Sequence, residues 1–568
     1  MALEHCVGPV CFFHLDPMAP KIFGFAELLA GLAIMVLAWT IADYRYKFRI
    51  ATAPIALHKG TFIVILSVGI LALVSDLWRA DGLLVPSGGL LTPAAWQALL
   101  GGAFLFTFMI WTWFAFISPA KFQPRNARKF WDEAQRVVLN GDERELTVLA
   151  EELGRTARSL IKHAPNIDRL YRLYEPAKTP VVLDLTDVQM HADDILQLMG
   201  DRKLCRNIVR HCPLAARSIL EAIRDTKRHH VATGNFSRNI LQEAIQDRES
   251  FLHREDGGQL GGFVTDIQPL TRSMFGSYDL LEGQGFALDV NSKEGSGWSL
   301  PEWNAYLRVI LIVIESYAKI DRTGRSETLQ GAFHNIRNAT SDLKDISTEK
   351  FDQSDERIRK LRAVISFVHD AVEIMDGGKT RGLVDRKEPG ISFAHRTICD
   401  DIAYLLFDVI EKASSLPSHS ADIRWMWNVD VWMPIFSSTA MNGIFGRTVL
   451  LKLRKLMYRK VMELQDSSVK RSDPRRIAKV VAFCLQTMRL SQKIGYGAHS
   501  WALYAFIKKW LSMNYSNISK KNMFFARTLI PNGVMRYSAA SNSIDLIVGE
   551  KGSQRLERLI QLRPRREQ

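Results

Sequence analysis

Apolar residues crowd three stretches near the start of the chain, Ile22–Ala42, Gly60–Trp78 and Ala94–Ile117; beyond them apolar and polar positions mix as in an ordinary water-soluble chain. Each run approaches the ~20 residues that a helix rising about 1.5 Å per residue needs to cross roughly 30 Å of hydrocarbon. A core helix of a soluble fold carries an apolar stripe, not an apolar circumference. The pattern therefore predicts three transmembrane helices and a large body outside the bilayer.

Past Pro119 the spacing changes. Apolar residues in Thr147–His163, Asp193–Met199, Leu204–Val209 and Leu214–Ile223 recur every three or four positions, with Asp, Gly or Pro between the segments. This predicts short helices in successive hairpins up to about residue 252. The stretches LGRTARSLIKHAPN from Leu153 and CPLAARSILEAIRD from Cys212 are loosely alike and hint at a helical repeat. His253–Trp298 is rich in glycine and poor in helix formers, so a long loop with a small hairpin near 262–298 is expected. Helix resumes at Ser299, which has capping-box spacing to Glu302, and the run VILIVI in the segment through Tyr317 predicts a fully buried helix. Two more helices are expected over Ser354–Ile374 and Asp400–Lys412, and a second hairpin over 533–550. The tail beyond Arg563 is too polar to be expected ordered. The expected fold class is mainly α. Its segments are a membrane anchor (1–121), a helical hairpin region (122–252), a Gly-rich loop (253–298), a helical domain (299–444) and a basic helical domain (445–568).

Flanking charge gives an orientation. Arg45, Lys47, Arg49 and Lys59 stand against one acid, Asp43, between the first two runs, whereas Arg79 stands against Asp76 and Asp81 between the second and third. Lys121, Arg125, Arg128 and Lys129 follow the last run. Because Lys and Arg are retained on the cytoplasmic side, the N-terminus is expected outside and everything beyond Pro119 inside, in a membrane expected to be a bacterial inner membrane. Trp39, Trp78, Trp96, Trp111 and Trp113 lie toward the ends of their runs, at headgroup level. No basic n-region precedes the first run, which argues against a cleaved signal peptide. Cys6 and Cys11 fall outside, where they either pair or stay free, while Cys205, Cys212, Cys399 and Cys484 are expected to be reduced.

Charge then changes the picture. Residues 445–568 hold 25 Lys and Arg against 7 Asp and Glu, a net +18, so residues 1–444 carry −4 of the total +14. Such asymmetry points to a polyanionic partner. On a helical wheel Leu450, Leu453, Leu456, Met457, Val461 and Leu464 gather on one side, with Lys452, Lys455 and Arg459 opposite; Lys460, Arg471, Arg475, Arg476, Lys508 and Lys509 extend the basic set. Trp501, Phe506 and Trp510 supply aromatic faces, and Trp425, Trp427 and Trp432 add more upstream. Basic helices with Trp and Phe suit the headgroup layer of an anionic leaflet. A protein partner or second copy, and nucleic acid, are the other partners this charge admits.

Chemical signatures are sparse. The chain has no Walker loop, dinucleotide fingerprint, HExxH, CxxC pair or nucleophile elbow, and no cofactor or metal is expected. Cys205, His211 and Cys212 do not have the spacing of a closed zinc site. His369 and Asp370 form an HD doublet, with His334 upstream and His395, Asp400 and Asp401 downstream, an order that resembles the HD-type metal phosphohydrolases. Glu27 lies near the outer end of the first run, either as an interfacial acid partnered by Ser67 or Thr107 or as a relay or contact group. The expectation from sequence is a membrane protein whose cytoplasmic helical body acts as an interaction or effector module. A membrane-tethered nucleic-acid sensor and an HD-type phosphohydrolase are the alternatives.

Overall fold

A computed structural model describes residues 5–7, 10–17, 21–41, 43–87, 92–165, 185–255, 259–260, 263–264, 269–290, 295, 297–320, 326–346, 352–378, 396–416, 420–464, 474–492, 498–530, 534–548 and 555–562. The chain is mainly helical and divides into two compact units, Met1–Phe236 and Ser237–Gln568.

In the first unit, strands β1 (His5–Val7) and β2 (Val10–His14) form an antiparallel hairpin, and β2 also pairs with β3 (Leu84–Ser87). The apolar runs fold as α1 (Phe25–Ile41), α3 (Leu57–Ala80) and α4 (Pro93–Thr112), the last continuing through a π-helical turn, Trp113–Ile117. Two of these, Leu57–Ala80 and Pro93–Ile117, are long and apolar enough to cross a bilayer; α1 is apolar apart from Glu27 in its first turn and has only 17 residues. Ile34, Phe62 and Phe106 are each about two-thirds exposed, where the core helix of a soluble fold would bury them.

Two polar clusters fix the ends of these helices. At one end, the start of α1 is tied to α3 and α4: Ile22 N donates to Gln97 Oε1 (2.9 Å), Phe25 N to Asp76 Oδ2 (3.0 Å), and Lys21 pairs with Asp76 (3.1 Å). A side chain at Gly24 would collide with Asp76, so glycine permits this close approach. At the other end, helix α2 (Tyr44–Ala51) packs on α5 (Ala127–Asn140) and α6 (Glu143–His163). Phe48 meets Phe130 edge-to-face at 5.4 Å, Arg49 Nε donates to Glu152 Oε1 (2.8 Å), and Asn126 Nδ2 donates to Thr52 O (2.8 Å). Arg45 and Arg49, read from sequence as orienting charges, thus form ion pairs with Glu151 and Glu152.

Helices α7 (Asp187–Leu198), α8 (Arg202–His211) and α9 (Pro213–Thr226) complete this unit. The two look-alike sequence stretches lie on α6 and α9, which pack together; a Cβ on Gly154 would stand 3.1 Å from Ala215 Cα.

In the second unit the segment expected as a Gly-rich loop contains two short helices, Pro269–Phe275 and Tyr278–Gly283, beside a two-residue ladder, β4 (Gln259–Leu260) with β5 (Phe263–Val264). Leu281 and Leu288 are buried among the core residues, and that burial outweighs the glycine content. Helix α10 (Leu300–Ala318) starts with the expected capping box and buries Val309, Ile310, Ile312, Val313 and Ile314. It packs on α11 (Glu356–Gly377). Helix α12 (Ile398–Ser414) packs on α13 (Ile444–Glu463) and α14 (Pro474–Gln492). Trp427 and Trp432, aromatics that the sequence suggested for the headgroup layer, lie in this core against Phe483, and Trp427 Nε1 donates to Ala413 O (2.8 Å). Helices α15 (Ala498–Lys521) and α16 (Met523–Leu529) follow, then an antiparallel sheet of β6 (Met535–Ser538), β7 (Ser543–Val548) and β8 (Arg555–Gln561). The first two of these strands occupy the expected C-terminal hairpin; the tail beyond Arg563 lies outside the described residues.

Candidate membrane-surface site

The basic residues proposed from sequence separate into distinct environments. Lys452, expected on the solvent face of α13, is 1% exposed and pairs with Asp400 at 2.7 Å. Asp400 is held by the capping box of α12, its Oδ2 accepting from Thr397 N and Oγ1, so the lysine closes a pre-built acceptor. The wheel failed here because α13 is buried on more than one side, by α12 and by α11. Arg459 Nη2 donates to Tyr404 Oη (2.8 Å), Lys460 pairs with Glu463 (2.9 Å), and Lys455 is half-buried. Arg475, Arg476 and Lys509 are exposed, Lys508 lies beside the Tyr504 ring at 5.9 Å, and Arg471 lies outside the described residues.

The aromatic set separates similarly. Trp510 is 2% exposed and belongs to the core, and Phe506 packs on Tyr458 at 4.5 Å between centroids. Both sit on the buried face of α15 with Leu503, Ile507, Leu511 and Tyr515. Trp501 remains exposed, as do Lys509, Met513 and Lys520 on the stripe away from the core and Lys521 at the end of the helix.

That stripe runs into a corner that sequence reasoning missed. Asn522 caps α16, its Oδ1 accepting from Phe525 N (3.0 Å), while Ala526 and Leu529 are buried and anchor the helix. The cap turns Met523 and Phe524 outward; Phe524 is 83% exposed and Met523 51%. Lys520, Lys521 and Arg527 flank them, all exposed, and no described acidic side chain pairs with any of the three. Tryptophan content does not mark this corner. The available signal was absence: from Pro474 to Ile544 the chain has 11 Lys and Arg and no Asp or Glu. Large apolar side chains offered to solvent inside a ring of unneutralised cations can insert into an acyl boundary while the cations meet anionic headgroups.

The other candidates hold together less well. His369 Nε2 donates to Pro434 O (2.8 Å), which fixes its ring; Asp370 is pushed above its ordinary value by burial; and His395 lies outside the described residues. No three metal-capable side chains converge among the described residues, so the HD order is not assembled into a centre there. His211 Nε2 contacts Glu143 Oε1 (2.9 Å), and burial pushes the Cys212 thiol up to about 12, well above the range in which a thiolate forms readily. Glu27 stands in the first turn of α1, where its Oε2 accepts from Gly24 N (2.9 Å); Thr107, suggested as its partner, donates to Ala103 O. Asp401, behind Asp400 on α12, is almost buried and raised to about 6 by desolvation, with Arg396, Gln330 and Arg337 pulling the other way.

Compared with family models, characterised proteins and solved structures, the chain matches none of them.

Proposed function

We propose that the protein is a three-span membrane protein whose C-terminal helical unit engages the anionic cytoplasmic leaflet through the Lys520, Lys521, Met523, Phe524 and Arg527 corner. The carrying observation is the exposure of Phe524 beside cations that no described acid neutralises. Burying a Phe side chain is worth about 1.5–3 kcal/mol. Each of the three cations contributes about 1 kcal/mol near an anionic surface. The sum supports reversible attachment, of the order that one myristoyl chain confers. Lys452 and Trp510 take no part in this surface.

Three spans rather than two are supported by where the ends of α1 go. Its start follows a hairpin that pairs with β3, in the α3–α4 connection, whereas its end leads into α2, which packs on α5 and α6 beyond α4. If α3 and α4 cross, α1 must cross too, and 17 helical residues reach about 26 Å, close to the ~30 Å core. The excess of Lys and Arg on the α2 side supports a cytoplasmic assignment of that side. Reporters fused after Gln123 and inserted near Ser87 test this: the first should read cytoplasmic and the second external, and the reverse would overturn the orientation. The surface reading is tested on the full chain in lipid nanodiscs, by whether anionic lipid protects α16 from hydrogen exchange and whether excess RNA removes that protection.

A further inference from the structure

We infer that Cys6 and Cys11 close a disulfide across the N-terminal hairpin. The ladder pairs His5 with Phe12, Cys6 with Cys11 and Val7 with Val10, so the two cysteines stand directly opposite each other. Only Gly8 and Pro9 separate Val7 from Val10. In an antiparallel ladder hydrogen-bonded and non-hydrogen-bonded pairs alternate, and the pair flanking a two-residue connection is the hydrogen-bonded one. The next pair, Cys6 with Cys11, is then non-hydrogen-bonded, where Cα atoms approach to about 4.5 Å. That separation lies inside the roughly 4.4–6.8 Å window a disulfide requires.

The same register argues against a metal site built from the motif's neighbouring histidines. Strand residues alternate between faces, so Cys11 and His14 on β2 belong to opposite faces, and His5, opposite Phe12, shares the face of His14. His14 Nδ1 also contacts Gly82 O at 2.8 Å, in the turn after α3. By register, the two cysteines share one face of the hairpin and both histidines belong to the other.

The compartment rests on the orientation proposed above, which puts the hairpin outside the cytoplasm, where disulfides persist. There the two thiols lose two protons and two electrons by exchange with a more oxidising protein disulfide, which is reduced to its dithiol as the Cys6–Cys11 bond forms. The bridge staples β1 to β2 independently of the β2–β3 ladder, in which Cys11 faces Ser87.

The test counts thiols in the full chain. Cells are quenched with acid, the protein is denatured, and a maleimide carrying a polyethylene glycol chain is added with and without prior reduction. The chain has six cysteines, so four additions without reductant and six with it are expected. Cys6→Ser should give five in both conditions, because Cys11 is released. Six additions without reductant from a chain whose Ser87 reporter reads external would overturn the proposal, as would a reducible dimer. If that reporter reads cytoplasmic, the orientation falls instead. The pairing is then decided on purified protein after mild copper–phenanthroline oxidation: closure to four in a monomer upholds it, and six refutes it.

Discussion

Lys452 is where charge and packing lead to the most different expectations. Read from the wheel, Lys452→Met removes one polyanion contact and leaves stability untouched. Read from the structure, it strands Asp400, 2% exposed, still holding its Thr397 capping bonds but without its counter-ion. Removing one partner of a buried pair costs about 3–5 kcal/mol. An unfolding entropy of about 2.1 cal/mol/K per residue over the roughly 330 residues of Ser237–Gln568 converts this to a fall in Tm of about 4–7 °C. The assay is thermal unfolding of the full chain in detergent, followed by near-ultraviolet circular dichroism, to which the buried Trp427 and Trp432 contribute. Adding Asp400→Asn to Lys452→Met should recover most of the loss, because the neutral pair leaves no stranded charge. Both variants should respond to anionic lipid like the parent protein. An unchanged Tm together with a weaker lipid response would refute the packing of α12 on α13.

Three further outcomes follow from the same geometry. Asp401 has its carboxyl raised to about 6, so the folded state holds that proton more tightly than the unfolded chain. Its stabilising contribution is therefore full below about pH 4 and lost as pH rises through about 6, a penalty of up to about 3 kcal/mol at neutral pH. Asp401→Asn should raise Tm near neutral pH and change it little near pH 4, and equal Tm values at neutral pH would refute the assignment. Phe524→Ala should weaken attachment to anionic vesicles by about 2 kcal/mol, some 30-fold, in a Ser237–Gln568 fragment that melts cooperatively, and Lys520→Glu with Lys521→Glu by at least as much; no change in either would remove the corner from the interface. His369→Ala should leave metal content, measured by mass spectrometry, unchanged and cost about 1 kcal/mol through loss of the Pro434 bond; loss of a stoichiometric bound metal would restore the HD reading.

What the sequence conveyed was mostly local. The capping box at Ser299, the burial of VILIVI and the C-terminal hairpin depend on neighbours a few positions apart, and each is legible in those neighbours. The environments of Lys452, Trp427, Trp432 and Trp510 depend on which helices pack over them, and composition does not encode that. The helices within the Gly-rich segment arise for the same reason, since tertiary burial of Leu281 and its neighbours overrides weak local preference. The proposed surface was half legible. Basic charge pointed to the last fifth of the chain, while the apolar element came from Met523 and Phe524, which a helix cap turns outward, rather than from the tryptophans. The register that opposes Cys6 to Cys11 belongs to the β1–β2 hairpin, and strands this short carry no alternation from which to read it.

Whether the acid-free corner of the C-terminal unit meets an anionic bilayer is decided by hydrogen exchange on the full chain in nanodiscs. Amides of α16 and the last turn of α15 should exchange more slowly in discs rich in anionic lipid than in zwitterionic discs at physiological salt. The difference should shrink as salt is raised to about 1 M, where the screening length falls to about 3 Å, and Phe524→Ala should reduce it. Equal exchange in the two lipids, with the rest of the unit folded, would show that this corner does not meet the bilayer.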